Sequence, residues 1–378
     1  MRVAIIHPWF PRYRESFFRD VKDQGNANGI ELDIFHGSTP PEWQARGDTS
    51  VSGNAVHLRT KFIRVGNRHI NYKRLGEVKN RAPYELVIVE QAIRNLETYR
   101  LLVDSTTRVA FWGHGRTYTI AKNPLEESLK TKLTNKGEWF FGYTSGGVEA
   151  VVANGFPANR TTVVQNAIDT AGLSDGIAQL SATTVAQWRA EHRIHGPMAL
   201  FIGGLDESKR LQFLIDAADK VATDNVRFTL VIVGDGVQRN LLQDLATTRP
   251  WLRVMGPLFG TEKALVLKAA DFIAMPGRVG LVSVDSFVAS APILTTNWKY
   301  HAPEFEYIKS GFNGLITNDS VSEYAASMKV LLTDSAKLRL LGSNCALSAK
   351  QYSTQEMARR FIGGLQAYAT IGSRVRSC

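Results

Sequence analysis

The sequence predicts an α/β protein with two doubly wound, Rossmann-like domains, and three observations support this fold class. Short apolar runs of strand length alternate along the chain with longer stretches of helical periodicity. Such alternation is typical of parallel sheets whose strands are connected by helices. The alternation stops near residue 170 and restarts near residue 198, so two sheets are expected rather than one.

The first half contains six runs that read as buried strands. They are RVAIIH (2–7), ELDIFHG (31–37), YELVIVE (84–90), RVAFWGHG (108–115), EWFFGYTS (138–145) and TTVVQNAID (161–169). Between the first two, apolar residues at Phe17, Phe18 and Val21 followed by Gly25 indicate an amphipathic helix with a glycine stop.

The second half repeats the pattern after a stretch rich in small and polar residues. Its strand-like runs are MALFIGG (198–204), RFTLVIVGDG (227–236), LRVMG (252–256), DFIAMPG (271–277), APILTT (291–296) and NGLIT (313–317). We predict one domain at 1–172, a linker at 173–189 and a second domain at 190–350. The helix in 351–378 is expected to cross back to the first domain. Ligands of such sheets bind at the carboxyl ends of strands, which predicts a site in the cleft between the two halves.

Composition limits the class of protein further. The 378 residues include 44% hydrophobic and 21% charged residues, which is typical of a globular chain. Two cysteines provide no disulfide framework, and no run of about 18 apolar residues predicts a spanning helix. The net charge of +10 indicates an anionic partner. We therefore expect a cytoplasmic protein, or one peripheral on the inner membrane face.

The segment MPGRVGLVSVDSF (275–287) has the pattern of an anion-binding helix start. Gly277 and Gly280 lie between a strand and a helix, and the first N–H groups of that helix have no helical acceptor. Those donors and the helix dipole suit a diphosphate. Asp285 follows a little over one turn later and can accept hydrogen bonds from sugar hydroxyls. An anion receptor beside a hydroxyl acceptor predicts a nucleotide-sugar site.

The segment FIGGLDESKR (201–210) offers a second phosphate contact. Gly203 and Gly204 allow the backbone to approach a ligand, and Lys209 lies at the start of the next predicted helix. An ordinary strand-to-helix turn with a surface lysine is the alternative. The sequence contains no P-loop, no Asp-x-Asp motif and no His/Cys cluster of ligand spacing, so neither a metal nor another cofactor is expected.

Taken in order, these segments resemble the donor domain of retaining GT-B glycosyltransferases of family 4, the glycosyl transferases group 1. The resemblance rests on FIGGLDESKR, VIVGDG, LRVMGPL, AADFIAMPGRVGLVSVDSFVASAPILTT and SGFNGLI, and more weakly on YTSGGVEAVVANGFPANRTTVVQNAID. It implies that Lys209 and the amides of Gly280, Leu281 and Val282 contact the donor diphosphate. It also implies that Asp285 holds the nucleotide ribose. The residues implied near the base are Pro257 and Leu258.

Two positions depart from the family pattern. Gly204 stands where the family usually has an arginine, so Arg210 or Arg278 is expected to supply that charge. The family's pair of glutamates falls on Gly277 and Asp285, so the first carboxylate is absent and the second is shortened. The way in which the sugar hydroxyls are recognised, and hence the donor sugar, stays open.

The resemblance implies that 190–350 is the donor-binding domain and that 1–172 is the acceptor-binding domain. In the first half, two loops are candidates for contacts with the transferred sugar and the acceptor. The resemblance implies that His114, which lies between two glycines at a strand end, reaches the transferred sugar; a structural histidine is the alternative. The first strand-to-helix loop carries aromatic and arginine side chains that can contact an acceptor or fill a packed loop corner. They are Trp9, Phe10, Arg12, Tyr13 and Arg14.

A strongly basic segment follows. Residues 57–82 contain eight Lys or Arg and one acid, Glu77, which indicates either a solvated helix face or contact with anionic lipid or a lipid-linked pyrophosphate. Residues 122–141 have the composition of an interfacial amphipathic helix, or of a normal surface helix.

The function predicted from all of this is metal-independent, retaining transfer of a sugar from a nucleoside-diphosphate sugar to a hydroxyl of a lipid-linked or polysaccharide acceptor in cell-surface glycan synthesis. The predicted catalytic residues are Lys209, His114 and Arg278. Two alternatives remain: a non-catalytic sugar-nucleotide binder, because the first carboxylate is missing, and a basic nucleic-acid-binding protein. The sequence contains no nucleic-acid-binding signature, so nucleic acid is not the expected partner.

Overall fold

The computed structural model describes residues 1–41, 55–66, 68–118 and 123–376, and the chain forms two compact units. The first unit comprises Met1–Asp169 together with the segment from Thr354 onward, and the second comprises Thr170–Ser353.

The first unit is built on a parallel sheet of seven strands. Its strands and those of an added hairpin are β1 (Arg2–His7), β2 (Glu31–His36), β3 (Val56–His57), β4 (Thr60–Val65), β5 (Arg68–Lys73), β6 (Leu86–Glu90), β7 (Val109–Gly113), β8 (Trp139–Gly142) and β9 (Thr161–Val163). The sheet order is β3-β2-β1-β6-β7-β8-β9, and β4 pairs with β5 alone. Its helices are α1 (Glu15–Ala27), α2 (Gly76–Arg81), α3 (Leu96–Val103), α4 (Pro124–Thr134) and α5 (Ser145–Ala153).

The two faces of this sheet are buried against helices, as the continuous apolar strands predict. Alternate residues of β1 point to opposite faces: Val3 and Ile5 lie in one apolar cluster, and Ala4 and Ile6 lie in the other. The six strands predicted for the first half are therefore confirmed.

The second unit repeats the architecture with six parallel strands. They are β10 (Met198–Ile202), β11 (Thr229–Val233), β12 (Leu252–Met255), β13 (Phe272–Ala274), β14 (Ile293–Thr296) and β15 (Gly314–Thr317), in the order β12-β11-β10-β13-β14-β15. The helices are α6 (Thr170–Gln179), α7 (Ala182–Glu191), α8 (Leu211–Thr223), α9 (Arg239–Thr247), α10 (Gly260–Ala269), α11 (Val282–Ala289), α12 (Val321–Thr333) and α13 (Ser335–Ala349). All six strands predicted for this half are confirmed as well.

The segment predicted as a linker, 173–189, is helical instead. It lies in α6 and α7, both of which belong to the second unit. The small residues of α6 allow close packing, since a Cβ on Gly176 would meet Ala264 Cβ at 3.2 Å. Lys268 Nζ also donates to the carbonyl oxygen of Ile177 at 2.9 Å. Tertiary packing therefore gives a helix to a sequence whose composition alone is typical of a linker.

The last helix, α14 (Thr354–Arg376), belongs to the first unit. Thr354 Oγ1 donates to Asp20 Oδ2 of α1 at 2.7 Å, and the ring of Phe361 stacks on Phe141 of β8 with centroids 4.4 Å apart. Among the helices that the structure describes, none is long and apolar enough to cross a membrane.

The basic segment 57–82 contains the β4–β5 hairpin followed by the short helix α2, so the helix face considered as one alternative accounts for only the end of the segment. β4 and β5 pair in antiparallel register, with Ile63 opposite Ile70 and Val65 opposite Arg68. Both strands are rich in β-branched and aromatic residues, which favour strands. In the segment 122–141, α4 accounts for 124–134 only, and Trp139 is buried in β8.

Candidate functional site

Lys209 lies at the end of a short 3₁₀ turn, Glu207–Lys209, that follows β10. Asp206 caps this turn by accepting the N–H of Ser208 at 2.9 Å. Lys209 Nζ donates to the carbonyl oxygen of Arg278 at 2.6 Å. Burial lowers the pKa of Lys209 to about 8, the carboxylate of Asp206 opposes this shift, and the charge of Arg278 adds to it. The ammonium group therefore lies beside the loop that precedes α11. With a pKa of about 8, it loses its proton just above neutral pH.

The two predicted glycines before Lys209 have different roles. Gly203 donates its N–H to the carbonyl oxygen of Val233 at 3.0 Å, so this amide is already engaged. A Cβ on Gly234, whose φ is +152°, would lie 1.9 Å from the carbonyl oxygen of Gly203. Gly234 therefore allows two strand-end loops to touch. Gly204 is exposed next to this contact.

Gly277 is packed against the backbone of the Lys209 turn. A Cβ at this position would lie 2.4 Å from the carbonyl oxygen of Ser208 and 2.6 Å from that of Lys209. The next amide, that of Arg278, donates to Ser208 O at 2.8 Å. The space that a larger side chain at position 277 would need is filled by the chain's own backbone.

The start of α11 presents free amides. The N–H of Ser283 bonds to the carbonyl oxygen of Gly280 at 3.0 Å, and Leu281 provides no side-chain cap. Within the described part of the chain, no acceptor lies within hydrogen-bonding distance of the amides of Gly280, Leu281 and Val282. These are the three amides predicted to bind phosphate, and they lie in the half-buried loop beside Lys209.

The two arginines predicted to replace the missing family charge lie in this region. Arg210 adopts a left-handed backbone conformation, pairs with Asp319, and lies over the ring of Phe213 with its guanidinium carbon 4.4 Å from the centroid. Arg278 donates through Nη1 to the carbonyl oxygen of Tyr300 at 3.2 Å. Arg278 lies in the loop that precedes α11, and its main-chain carbonyl accepts from Lys209, so its position next to that lysine makes it the candidate for the second cation.

Asp285 lies on α11 and is 7% exposed. Lys263 Nζ of α10 donates to Asp285 Oδ1 at 2.8 Å. Burial raises the pKa of Asp285, and the charge of Lys263 opposes that rise. The carboxylate predicted to bind ribose is thus paired with Lys263, a residue that was not predicted from the sequence.

The loop predicted to lie near the base follows β12. Pro257 is exposed, and Leu258 lines a cavity of about 630 Å³ together with Met255 and Glu262. Trp188 of α7 and His192, which follows the end of α7, line the same cavity, and their ring centroids are 4.5 Å apart in a stacked arrangement. Trp188 was not expected here because residues 173–189 were predicted to be a linker.

In the first unit, the predicted acceptor loop is mostly buried. Trp9, Phe10 and Arg14 are 5%, 1% and 2% exposed, so their side chains pack inside this unit instead of meeting an acceptor. The guanidinium carbon of Arg14 lies 5.3 Å from the Trp112 ring. Of the five predicted residues, Arg12 and Tyr13 are exposed.

His114 is exposed and lies just after β7, at the carboxyl edge of the sheet. Its ring lies 4.6 Å from that of Tyr143. This placement agrees with the edge at which ligands of such sheets bind. Among the described residues, no group of three or more His, Cys, Asp or Glu side chains has the arrangement of a metal site.

Comparison with known proteins places the second unit in a family. Residues 196–334 match the family model described as glycosyl transferases group 1. The second unit belongs to the glycosyl transferases group 1 family. The matched segment contains Lys209, the amides of residues 280–282 and the Lys263–Asp285 pair.

The curated proteins to which the chain is similar are distant from it in sequence. The chain is 23% identical over 55% of its length to phosphatidyl-myo-inositol mannosyltransferase of Mycobacterium leprae, of which the alignment covers 56%. It is 29% identical over 36% of its length to glycogen synthase of Mycobacterium tuberculosis, of which 31% is covered. The chain therefore spans about half the length of the first relative and less of the second.

The likeness in structure extends over nearly the whole chain. HepE of Anabaena, solved in complex with UDP-glucose, matches 99% of this chain and 100% of its own, with a TM-score of 0.66 and 15% identity. At this identity the likeness shows the fold alone. It confirms the predicted GT-B class, in which two Rossmann-like domains are combined.

Proposed function

We propose that this protein transfers a sugar from a nucleoside-diphosphate sugar to a hydroxyl group. The observation that carries the proposal is the convergence of the Lys209 ammonium with the free amides of Gly280, Leu281 and Val282. Arg278 adds a guanidinium to the same loop, and Asp285 supplies a carboxylate on the helix that these amides begin. Cations and amide donors suit the diphosphate, and the carboxylate suits ribose hydroxyls.

The chemistry we propose is same-face transfer with retention of configuration. The bond from the anomeric carbon to the diphosphate oxygen breaks, and the acceptor oxygen forms a bond on the same face. The departing phosphate accepts the proton of the acceptor hydroxyl. Lys209, Arg278 and the loop amides stabilise the charge that develops on the leaving diphosphate, without need of a metal. We assign His114 to the transferred sugar, since it is exposed at a strand end of the first unit.

The experiment that tests this function begins with a stabilisation screen. Purified protein is heated with UDP-, GDP-, ADP- and dTDP-sugars, with EDTA present throughout, and UDP-glucose is tested first because HepE was solved with it. The sugar nucleotide that raises the melting temperature is then offered with a lipid-linked and with a polysaccharide acceptor. We expect labelled sugar to appear in one of them, and NMR of the product to show the donor's anomeric configuration.

A second function, binding of a sugar nucleotide without catalysis, is favoured by one observation. The place of the family's first carboxylate is filled by backbone at Gly277. The same screen separates the two functions: a non-catalytic binder would be stabilised by a sugar nucleotide and yet neither transfer nor hydrolyse it.

Asp285→Asn should weaken donor binding more than it slows the reaction. A ribose contact is made in both ground and transition states, so its loss raises KM for the donor and leaves kcat nearly unchanged. The substitution also removes the negative charge that pairs with Lys263. The amide oxygen of Asn is a weaker hydrogen-bond acceptor than a carboxylate, both for Lys263 and for a ribose hydroxyl. Steady-state kinetics checks it, and a fall in kcat at unchanged KM would place Asp285 at the reacting sugar instead.

We also propose that the acceptor is reached on an anionic membrane surface. Ile63 and Val65 of the β4–β5 hairpin are 52% and 55% exposed, and Leu125 of α4 is 81% exposed. Arg68 pairs with Glu126, so the end of the hairpin lies against the first turn of α4. Exposed apolar side chains with basic neighbours, notably Arg59, Lys61 and Arg64, are the combination that binds anionic lipid.

Replacing Arg59, Lys61 and Arg64 by Gln should release the protein from vesicles that contain phosphatidylglycerol. The expected loss is about 1 kcal/mol per charge, and salt should reproduce it in the wild type because exposed charges are screened over about 8–10 Å. Binding of soluble sugar nucleotide should not change. Arg68 is kept because it pairs with Glu126.

The matched control replaces Lys220, Lys337 and Arg339, which are exposed on the second unit, by Gln. Sedimentation with vesicles measures both variants. If the control loses as much binding as the hairpin variant, net charge alone explains the association. If the wild type does not sediment at low salt, the acceptor is soluble.

A further inference from the structure

His301 is buried between β14 and α11 with both ring nitrogens hydrogen-bonded. Nδ1 accepts the N–H of Val279 at 3.1 Å, and Nε2 lies 2.9 Å from the carbonyl oxygen of Thr296. The side chain is 5% exposed, and its ring stacks on Phe305 with centroids 4.1 Å apart.

These contacts determine the tautomer. The amide of Val279 can only donate, so Nδ1 carries no proton, and the carbonyl of Thr296 can only accept, so Nε2 carries one. The ring is therefore neutral. Burial, together with the nearby charges of Lys209, Arg278 and Arg210, lowers the pKa of His301 to about 4. This agrees with the hydrogen bonds.

The hydrogen bond from Val279 to His301 is one of two that hold the main chain of Val279, the residue before the three free amides. The carbonyl oxygen of Val279 accepts the N–H of Ala302 at 2.9 Å, so both polar groups of Val279 are bonded to residues 301 and 302. Thr296 Oγ1 donates to the carbonyl oxygen of Pro276 at 3.0 Å, which ties the start of the same loop to the end of β14. With Val279 fixed on both sides, the following N–H groups have a fixed direction.

We propose that His301 is a positioning residue that orients the amides of Gly280, Leu281 and Val282 toward the donor diphosphate. This inference rests on the proposed function. His301 itself touches no phosphate: its Nδ1 engages the Val279 N–H and thereby fixes which amides of the loop remain available. The residue type matters because a neutral imidazole has one acceptor and one donor. Stacked on Phe305, it can accept from the Val279 N–H and donate to the Thr296 carbonyl at the same time.

Two substitutions separate this role from a general contribution to folding. In His301→Asn, Oδ1 is attached at the same point as Nδ1 and can still accept the Val279 N–H, whereas the donor to Thr296 is lost. In His301→Gln, Nε2 can still donate to Thr296, whereas the acceptor for Val279 is lost. Each variant loses one buried hydrogen bond in the same place, so their melting temperatures should fall by similar amounts.

Binding is measured by calorimetry with UDP, GDP, ADP and dTDP, using the nucleotide that the wild type binds most tightly. We expect His301→Gln to lose about tenfold or more in affinity, and His301→Asn to stay within a factor of about three of the wild type. Hydrogen exchange should show the Val279 amide exchanging faster in His301→Gln and remaining protected in His301→Asn.

Equal affinities for the two variants would overturn the positioning role, and so would a protected Val279 amide in His301→Gln. If the wild type binds none of the four nucleotides, both this inference and the proposed function fail. If the wild type binds and only the comparison of variants fails, the proposed function stands without this inference.

Discussion

Lys209→Ala should lower sugar transfer by about 10²–10³ while the fold is kept, which is the scale of removing one preorganised charge contact at a transition state. The side chain is half-buried in a turn, and its ammonium group donates a hydrogen bond to the carbonyl oxygen of Arg278. Its removal should therefore reduce kcat far more than the free energy of unfolding. Lys220→Ala, at an exposed position on α8, is the matched control.

The pH profile gives an independent readout of Lys209. The pKa of its side chain is lowered to about 8, so the free enzyme loses this positive charge as pH rises through about 8. We expect kcat/KM to fall above that pH, because kcat/KM reports the free enzyme. The corresponding fall in kcat should come at higher pH, since a bound diphosphate favours the charged lysine. A Lys209→Ala enzyme within a factor of about three of the wild type would remove Lys209 from the mechanism.

Gly277→Ala should disrupt the same site through the backbone. The added Cβ would lie 2.4 Å from Ser208 O and 2.5 Å from the carbonyl carbon of Lys209, so the turn that carries Lys209 must move. Overpacking of this kind costs about 1–3 kcal/mol of stability. We expect transfer to fall by about 10²-fold, because displacement of the turn withdraws the ammonium group from the loop amides. Gly277→Glu, which restores the family's residue type, should be at least as damaging.

Gly363→Ala, at an exposed position on α14, is the control. Nothing lies within 4 Å of the Cβ that this substitution adds, so stability and transfer should change little. The double variant Gly277→Ala with Lys209→Ala should lose little more activity than Lys209→Ala alone, because both act through one ammonium group. Additive losses would show that Gly277 acts on something other than Lys209. Melting temperature and transfer rate are measured for all four proteins.

The sequence readily indicated the strands and the site loops of the second unit. β10 and β13 are each marked by an apolar run that is followed by glycine, and α11 begins two residues after Gly280; Lys209 and Asp285 were selected from these local patterns. Local pattern failed at α6 and α7, where small and polar residues form helices because they pack on α10. It also missed the β4–β5 hairpin, whose basic residues were interpreted by their charge alone.

Partners distant in the chain were beyond any local pattern. Lys263 is 22 residues from Asp285, and His301 is 22 residues from Val279, so neither pair has a spacing typical of a motif. The first-unit loop shows the opposite error: its aromatic and arginine residues were read as surface contacts, but Trp9, Phe10 and Arg14 are buried. Residue type alone does not separate a ring that stacks on a ligand from one that fills a core.

The sequence by itself determined two parallel sheets, a glycine-rich loop before α11, and the charged residues that follow both site loops. These features depend on hydrophobic period and backbone freedom, which are properties of neighbouring residues. The tertiary structure alone decided that the Lys209 turn fills the space beside Gly277, that Lys263 pairs with Asp285, and that His301 clamps Val279. Each of these is a contact between separate elements, and its geometry exists only once strands and helices have packed.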